Sequence, residues 1–198
     1  MIELPTDLPA DLVPLSWLIG VWEGSGVIDY AGGGLSGEFT HRVSFSHDGG
    51  DYLNYSASAW IDREDGGRTA LVSEVGYWRL SRNAGDADPG PALLPPTASA
   101  EPRTVEDVER LRNDADGFDI EAAIVHSDGI SELYLGQIRG PRIDLATDAV
   151  VRPATAKAYA AATRMYGLVD GHLLWAWDIA ALGHELASHA SARLAKVA

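Results

Sequence analysis

Apolar and polar residues alternate through most of this chain, in short runs separated by polar turns, and that period of two predicts β-strands. The alternation is loose over 38–45 and gives way to His47-Asp-Gly-Gly50, residues that suit a turn. Tyr52, Tyr55 and Trp60 space aromatic side chains along 52–60, a polar glycine-containing turn covers 62–67, and 71–80 reads as the next strand. After a break, strands are expected over 117–126, 130–138 and 143–151, with Ser127-Asp-Gly129 and Arg139-Gly-Pro141 as turns. Residues 158–168 and 173–181 flank Val169-Asp-Gly171, a hairpin signal. The alanines of 158–163 also suit a helix, but Arg164-Met-Tyr-Gly167 before that turn favours the hairpin. A last element covers 183–197. With a glycine-rich opening strand this makes about ten sequentially paired antiparallel strands, an all-β up-and-down barrel entered by a short helical turn around 9–18.

The opening strand is Trp17-Leu-Ile-Gly-Val-Trp-Glu-Gly-Ser-Gly26. Within it, Gly20, Gly24 and Gly26 alternate with other residues, so the strand can bend and admit neighbouring backbone at close range. Trp22 offers a flat side chain able to plug one end of a barrel, where its indole N–H needs a partner. A barrel of roughly eight or more strands can enclose a ligand cavity, provided one end is closed.

One region breaks the pattern. Residues 83–116 hold five of the ten prolines, with many acids, and 104–111 has the makings of a helical turn or two. The stretch reads as an insertion between strands of one barrel domain spanning 1–198, with a lid over the barrel mouth as its functional alternative.

Composition narrows the partners. A formal charge of −14 over 198 residues repels phosphate backbones and anionic membrane surfaces, so neither nucleic acid nor membrane is expected. The absence of cysteine removes disulfides, thiolate metal sites and thiol nucleophiles, and fits a reducing cytosol. The N-terminus lacks the basic, apolar and small-residue segments of a signal peptide, and no apolar run approaches the roughly 20 residues of a membrane span. A soluble, cytoplasmic protein is expected, and a homodimer is left open.

Familiar catalytic motifs fail. His184 and His189 resemble a zinc-protease pair but stand five positions apart, which on a helix turns them about 140° from each other. Gly34-Leu-Ser-Gly37 is one residue short of a nucleophile elbow, and the glycines of 24–26 and 32–34 lack the Lys-Ser/Thr of a phosphate loop. Among the six histidines, His41, His47, His126 and His172 fall in or beside expected turns, where a solvated or backbone-bonded ring is the ordinary reading. His189 differs by its place in the last element.

Motifs distributed along nearly the whole chain resemble the nitrobindin family. They are Gly20-x-Trp22-x-Gly24-x-Gly26, Phe45-Ser-His-Asp-Gly49, Ser73-Glu-Val-Gly-Tyr-Trp-Arg79, Ala146-Thr-Asp-Ala149, Thr155-Ala-Lys157, Ala162-Thr-Arg-x-Tyr-Gly167 and Gly183-x-x-Leu-x-x-His189-x-x-Ala-x-Leu194. The resemblance is strongest to its actinobacterial branch of haem-binding, fatty-acid-binding-like proteins. It implies a ten-stranded barrel that holds one haem b at its open end, with His189 as the axial iron ligand and Lys157 as a haem contact. It also implies ferric iron, nitric oxide binding and a haem-dependent isomerase activity that converts peroxynitrite to nitrate. The iron would do the chemistry, so no general base is assigned. A neutral imidazole is a natural single ligand for haem iron, and a local cation such as Lys157 or Arg164 would help to seat the propionates. Two departures stand out. The family's Tyr-Pro-Thr segment is here Tyr30-Ala-Gly-Gly-Gly-Leu-Ser-Gly37, and Val72 occupies a position that in many members is histidine. The other reading is a carrier of a fatty acid or similar apolar ligand, which would need Arg42, Arg79 or Arg164 to face the cavity. A side-chain-filled scaffold is the third.

Overall fold

The computed structural model describes residues 8–29, 36–99 and 101–198. Its ten described strands are β1 (Gly20–Asp29), β2 (Ser36–Ser46), β3 (Tyr52–Asp62), β4 (Arg68–Leu80), β5 (Phe118–His126), β6 (Ser131–Arg139), β7 (Arg142–Val151), β8 (Tyr159–Val169), β9 (His172–Ala181) and β10 (Ala187–Lys196). Each pairs antiparallel with its neighbours in sequence, and β1 pairs with β10, which closes the barrel and leaves none of the described strands at an unpaired edge. The alternation seen in the sequence is the alternation of the wall. In β2, Phe39, His41, Val43 and Phe45 are buried while the residues between them face outward.

Closure by β1 depends on its glycines. A Cβ on Gly24 would lie 2.3 Å from the Arg193 carbonyl oxygen, and one on Gly26 would lie 2.4 Å from that of Ser191. Because Gly24 and Gly26 carry no side chain, β10 can cross β1 at this range.

One end of the barrel is sealed. A 3-10 helix, Ala10–Leu18, buries Leu12, Leu15 and Leu18 completely. Trp22 lies just inside it, and its indole N–H donates to the Leu18 carbonyl at 2.7 Å. Above this floor stand Phe45, Leu53, Trp78, Ile120, Ile138, Ile143 and Leu173, all almost fully buried.

The 83–116 stretch joins the end of β4 to the start of β5, and both lie at this sealed end. It contains a short helix, α1 (Val105–Glu109), begun by a capping box between Thr104 and Asp107. Val108 is buried, Arg103 reaches Asp11 of the 3-10 helix at 3.3 Å, and Arg82 holds Asp51 and Asp88. The reading of this segment as a lid is thereby corrected. It braces the floor, because both of its anchors are strand ends at that side.

The opposite end is open, and the strand connections 63–67, 127–130, 152–158 and 182–186 surround it. Here the wall parts between β7 and β8. Their ladder covers only Arg142–Ala146 against Thr163–Gly167, after which the Thr147 hydroxyl bonds the backbone of Ala162.

Candidate functional site

Above the packed floor the barrel keeps a cavity of about 250 Å³. Its lining comes from β8 round through β1 to β4, and is mostly Ile28, Phe39, Leu71, Tyr166, Trp175 and Trp177, with Ala59 and Ala190 leaving the space. A barrel filled at every inward position is therefore not what this sequence builds. Two imidazoles, His41 and His189, and one ion pair, Glu74 with Arg164, are the polar members of the lining.

The opposite inner wall is filled by a charged cluster. Arg164 donates two hydrogen bonds to the Glu74 carboxylate, each 2.8 Å, one to the Tyr134 hydroxyl at 2.9 Å and one to Glu132 at 3.3 Å. Glu132 also accepts from Tyr134 at 2.7 Å and from Tyr159 at 2.6 Å, and the His126 ring meets it at 2.6 Å. Tyr55 donates to Glu74 at 2.8 Å. Burial opposes the charge on both glutamates, but Arg164 with His126 and Tyr55 together outweigh it at Glu74, and His126 with Arg164 and Tyr159 together do so at Glu132. Both carboxyls are held below their ordinary range. Every nitrogen of the Arg164 guanidinium is thus engaged within the protein, through four of its five N–H donors.

His189 lies near the start of β10 at the open end, half-buried, with its ring edge-on to Trp177 at 5.8 Å between centroids. Burial lowers its pKa, so the ring is neutral at neutral pH. The 184–189 stretch is a turn running into a strand, not a helix, which removes the zinc-protease arrangement. Among the described residues no cluster of three or more His, Asp or Glu side chains forms a metal site. Lys157 is exposed in the 152–158 connection at the same open end and is not part of the cavity lining. Gly20, Trp22, Gly24 and Gly26 lie along β1, with Trp22 at the sealed end.

Two of the histidines expected in or beside turns, His41 and His126, are interior. His41 is 5% exposed, and burial lowers its pKa to about 4. Trp175 donates its indole N–H to His41 Nδ1 at 2.8 Å, which leaves the hydrogen of the neutral ring on Nε2. His126 belongs to the Glu132 cluster. The signal for His41 was present in the alternation, since it shares parity with Phe39, Val43 and Phe45. The expectation for His172 is closer to the structure, where its Nδ1 meets the Asp170 carbonyl at 2.9 Å. Residues 30–35, most of the segment that departs from Tyr-Pro-Thr, lie outside the described residues, as does the side chain of Val72.

A family model described as "THAP4-like, heme-binding beta-barrel domain" matches residues 11–196. The chain belongs to this family. Haem is its cofactor, and the nitrobindin resemblance read from the motifs is the same assignment. The chain is 63% identical over 198 residues to a protein named peroxynitrite isomerase from Leifsonia xyli subsp. xyli, covering 99% of both chains. It is 59% identical over 199 residues to one of the same name from Clavibacter michiganensis subsp. michiganensis, covering all of both. Among solved structures it is similar to Rv2717c from M. tuberculosis, with a TM-score of 0.67 and 25% identity over 99% of this chain and 100% of the other.

The cavity suits such a group on its own terms. A macrocycle needs an apolar, preferably aromatic slot and one neutral nitrogen donor, and the open end supplies Phe39, Trp175, Trp177 and His189.

Proposed function

We propose that this protein is a haem-dependent peroxynitrite isomerase, with haem b seated in the open end of the barrel and held through His189. The observation that carries the reading is a neutral imidazole set into an aromatic-walled cavity inside a haem-binding barrel. The names of relatives at 63% and 59% identity supply the reaction. Haem bound there would supply ferric iron chemistry toward a small ligand such as peroxynitrite or nitric oxide.

The protein's own residues bind, orient and exclude water. His189 is the proposed protein ligand to the iron. Phe39, Trp175 and Trp177 keep the slot apolar. Isomerisation of peroxynitrite to nitrate conserves every atom and all charge, so it calls for no general base. Lys157, on the rim, is the proposed partner of a haem propionate, and no ion pair occupies it among the described residues. The single barrel of 1–198 acts as one unit in this reading, in a cytoplasm whose reducing conditions accord with a cysteine-free chain. Its net charge of −14 disfavours nucleic acid as a partner.

Nothing comparable supports a fatty-acid carrier. Arg42 is paired with Glu23 and Arg79 with Glu121 on the outer wall, and Arg164 gives four of its five N–H donors to the cluster.

Titration of hemin into the purified protein tests the assignment. A sharp Soret band is expected, together with faster conversion of peroxynitrite to nitrate in stopped flow. His189→Ala should bind hemin at least about 10-fold more weakly. A wild-type protein without the band, or a variant that keeps both affinity and spectrum, would overturn the reading.

A further inference from the structure

The Trp177 ring meets four side chains, those of Arg164, His189, His126 and Trp175. It projects inward from β9 at 9% exposure, and its register partners are Arg164 on β8 and Ala190 on β10. The Arg164 guanidinium carbon sits 4.2 Å from the centroid of its ring. His189 meets it edge-on at 5.8 Å and 77°, and His126 and Trp175 stand at 6.0 Å and 6.4 Å. The indole nitrogen has no hydrogen-bond partner among the described residues. The ring is therefore held through its face and edges and not through its N–H.

What holds the face is itself immobile. Arg164 is pinned by Glu74, Glu132 and Tyr134, so the cation over the indole cannot swing away without breaking several buried charge-assisted hydrogen bonds. A ring clamped in this way presents a fixed wall to the imidazole beside it. In metal sites the groups behind a ligand set its plane and its affinity, and they usually act through a hydrogen bond. Here an aromatic ring lies against the proposed ligand at a near-perpendicular angle.

The geometry points to Trp177 as the positioning residue for His189, with Arg164 as its clamp. The inference rests on the reading of His189 as the haem ligand. It predicts that the orientation of the imidazole, and with it the retention of haem, depends on the indole and not only on the volume it fills.

The experiment compares Trp177→Leu, Trp177→Phe and His189→Ala, each loaded with hemin and checked for the wild-type far-ultraviolet dichroism. Haem loss is followed by transfer to excess apomyoglobin, and the ferric electron paramagnetic resonance spectrum reports the ligand's plane. Trp177→Leu should lose haem about 10-fold faster than wild type with altered g-anisotropy, and Trp177→Phe about 3-fold faster with a smaller change. Wild-type loss rates and spectra in Trp177→Leu would overturn the inference. Should that variant fail to fold, an unchanged Trp177→Phe would overturn it instead. If His189→Ala keeps the wild-type spectrum, the ligand assignment falls and this inference with it. If His189→Ala loses the spectrum while both Trp177 variants match wild type, only the positioning role is lost.

Discussion

His41 shows how one buried side chain writes itself into the pH dependence of the whole protein. Its ring is neutral in the fold, with a pKa lowered to about 4 from an ordinary 6.5. The unfolded chain therefore binds a proton between those values that the folded chain does not, and stability falls as pH drops through that window. The loss amounts to roughly 3 kcal/mol by pH 4. His41→Gln, whose amide can still accept from Trp175, should show a shallower decline in urea midpoint between pH 7 and pH 4.5 than wild type. Equal slopes would mean that His41 does not titrate as its burial implies. Glu74 acts in the same direction at lower pH, because its folded pKa is depressed and its contribution is lost as the pH falls below the ordinary carboxylate range. At this scale the sequence was partly legible. His189 stands out by its position in the last element, whereas the turn residues near His41 and His126 point to solvated rings. For His41 the alternating parity was the available sign. For His126 the same sign was present, since it shares parity with Ile120, Ala122 and Ile124, and its partner Glu132 is brought near by the pairing of β5 with β6.

Among the elements, β1 admits the closing strand β10 only through its glycines. A side chain on Gly26 would strike the Ser191 carbonyl, the Ala192 methyl and the Phe39 ring, the last two at 2.7 Å. Gly26→Val should destabilise the barrel by about 3 kcal/mol or more, or prevent its closure, read as a lower thermal midpoint or as insoluble protein. The 3-10 helix is held otherwise, by leucines that fill the sealed end. Leu15→Ala should cost about 2–5 kcal/mol, measured by denaturant unfolding, and leave the hemin spectrum unchanged because the cavity lies at the other end. The strands were legible because one face of each is buried, which imprints a period of two. The short helix α1 falls within 104–111, where the sequence suggested a helical turn or two, and the structure adds its Thr104–Asp107 capping box.

At the scale of the molecule, the barrel has two ends with different work, and the insertion serves the sealed one. Replacing 90–99 with a short Gly-Ser linker removes none of the Arg82–Asp88 or Arg103–Asp11 contacts. The variant should take up hemin at a rate within about twofold of wild type, since the change is remote from the mouth. A lid would instead have made uptake much faster once removed, so stopped-flow hemin binding separates the two. The sequence by itself determined the all-β barrel, its strand count and, through dispersed motifs, the haem-binding family. It could do so because periodicity and local turn chemistry are written in neighbouring residues. Only the tertiary structure decided which end the insertion braces, that Arg164 is locked between Glu74 and Glu132, and that Trp177 stands between that charge and His189. Those facts depend on strands far apart in the chain meeting across a closed wall, and no local pattern records such meetings.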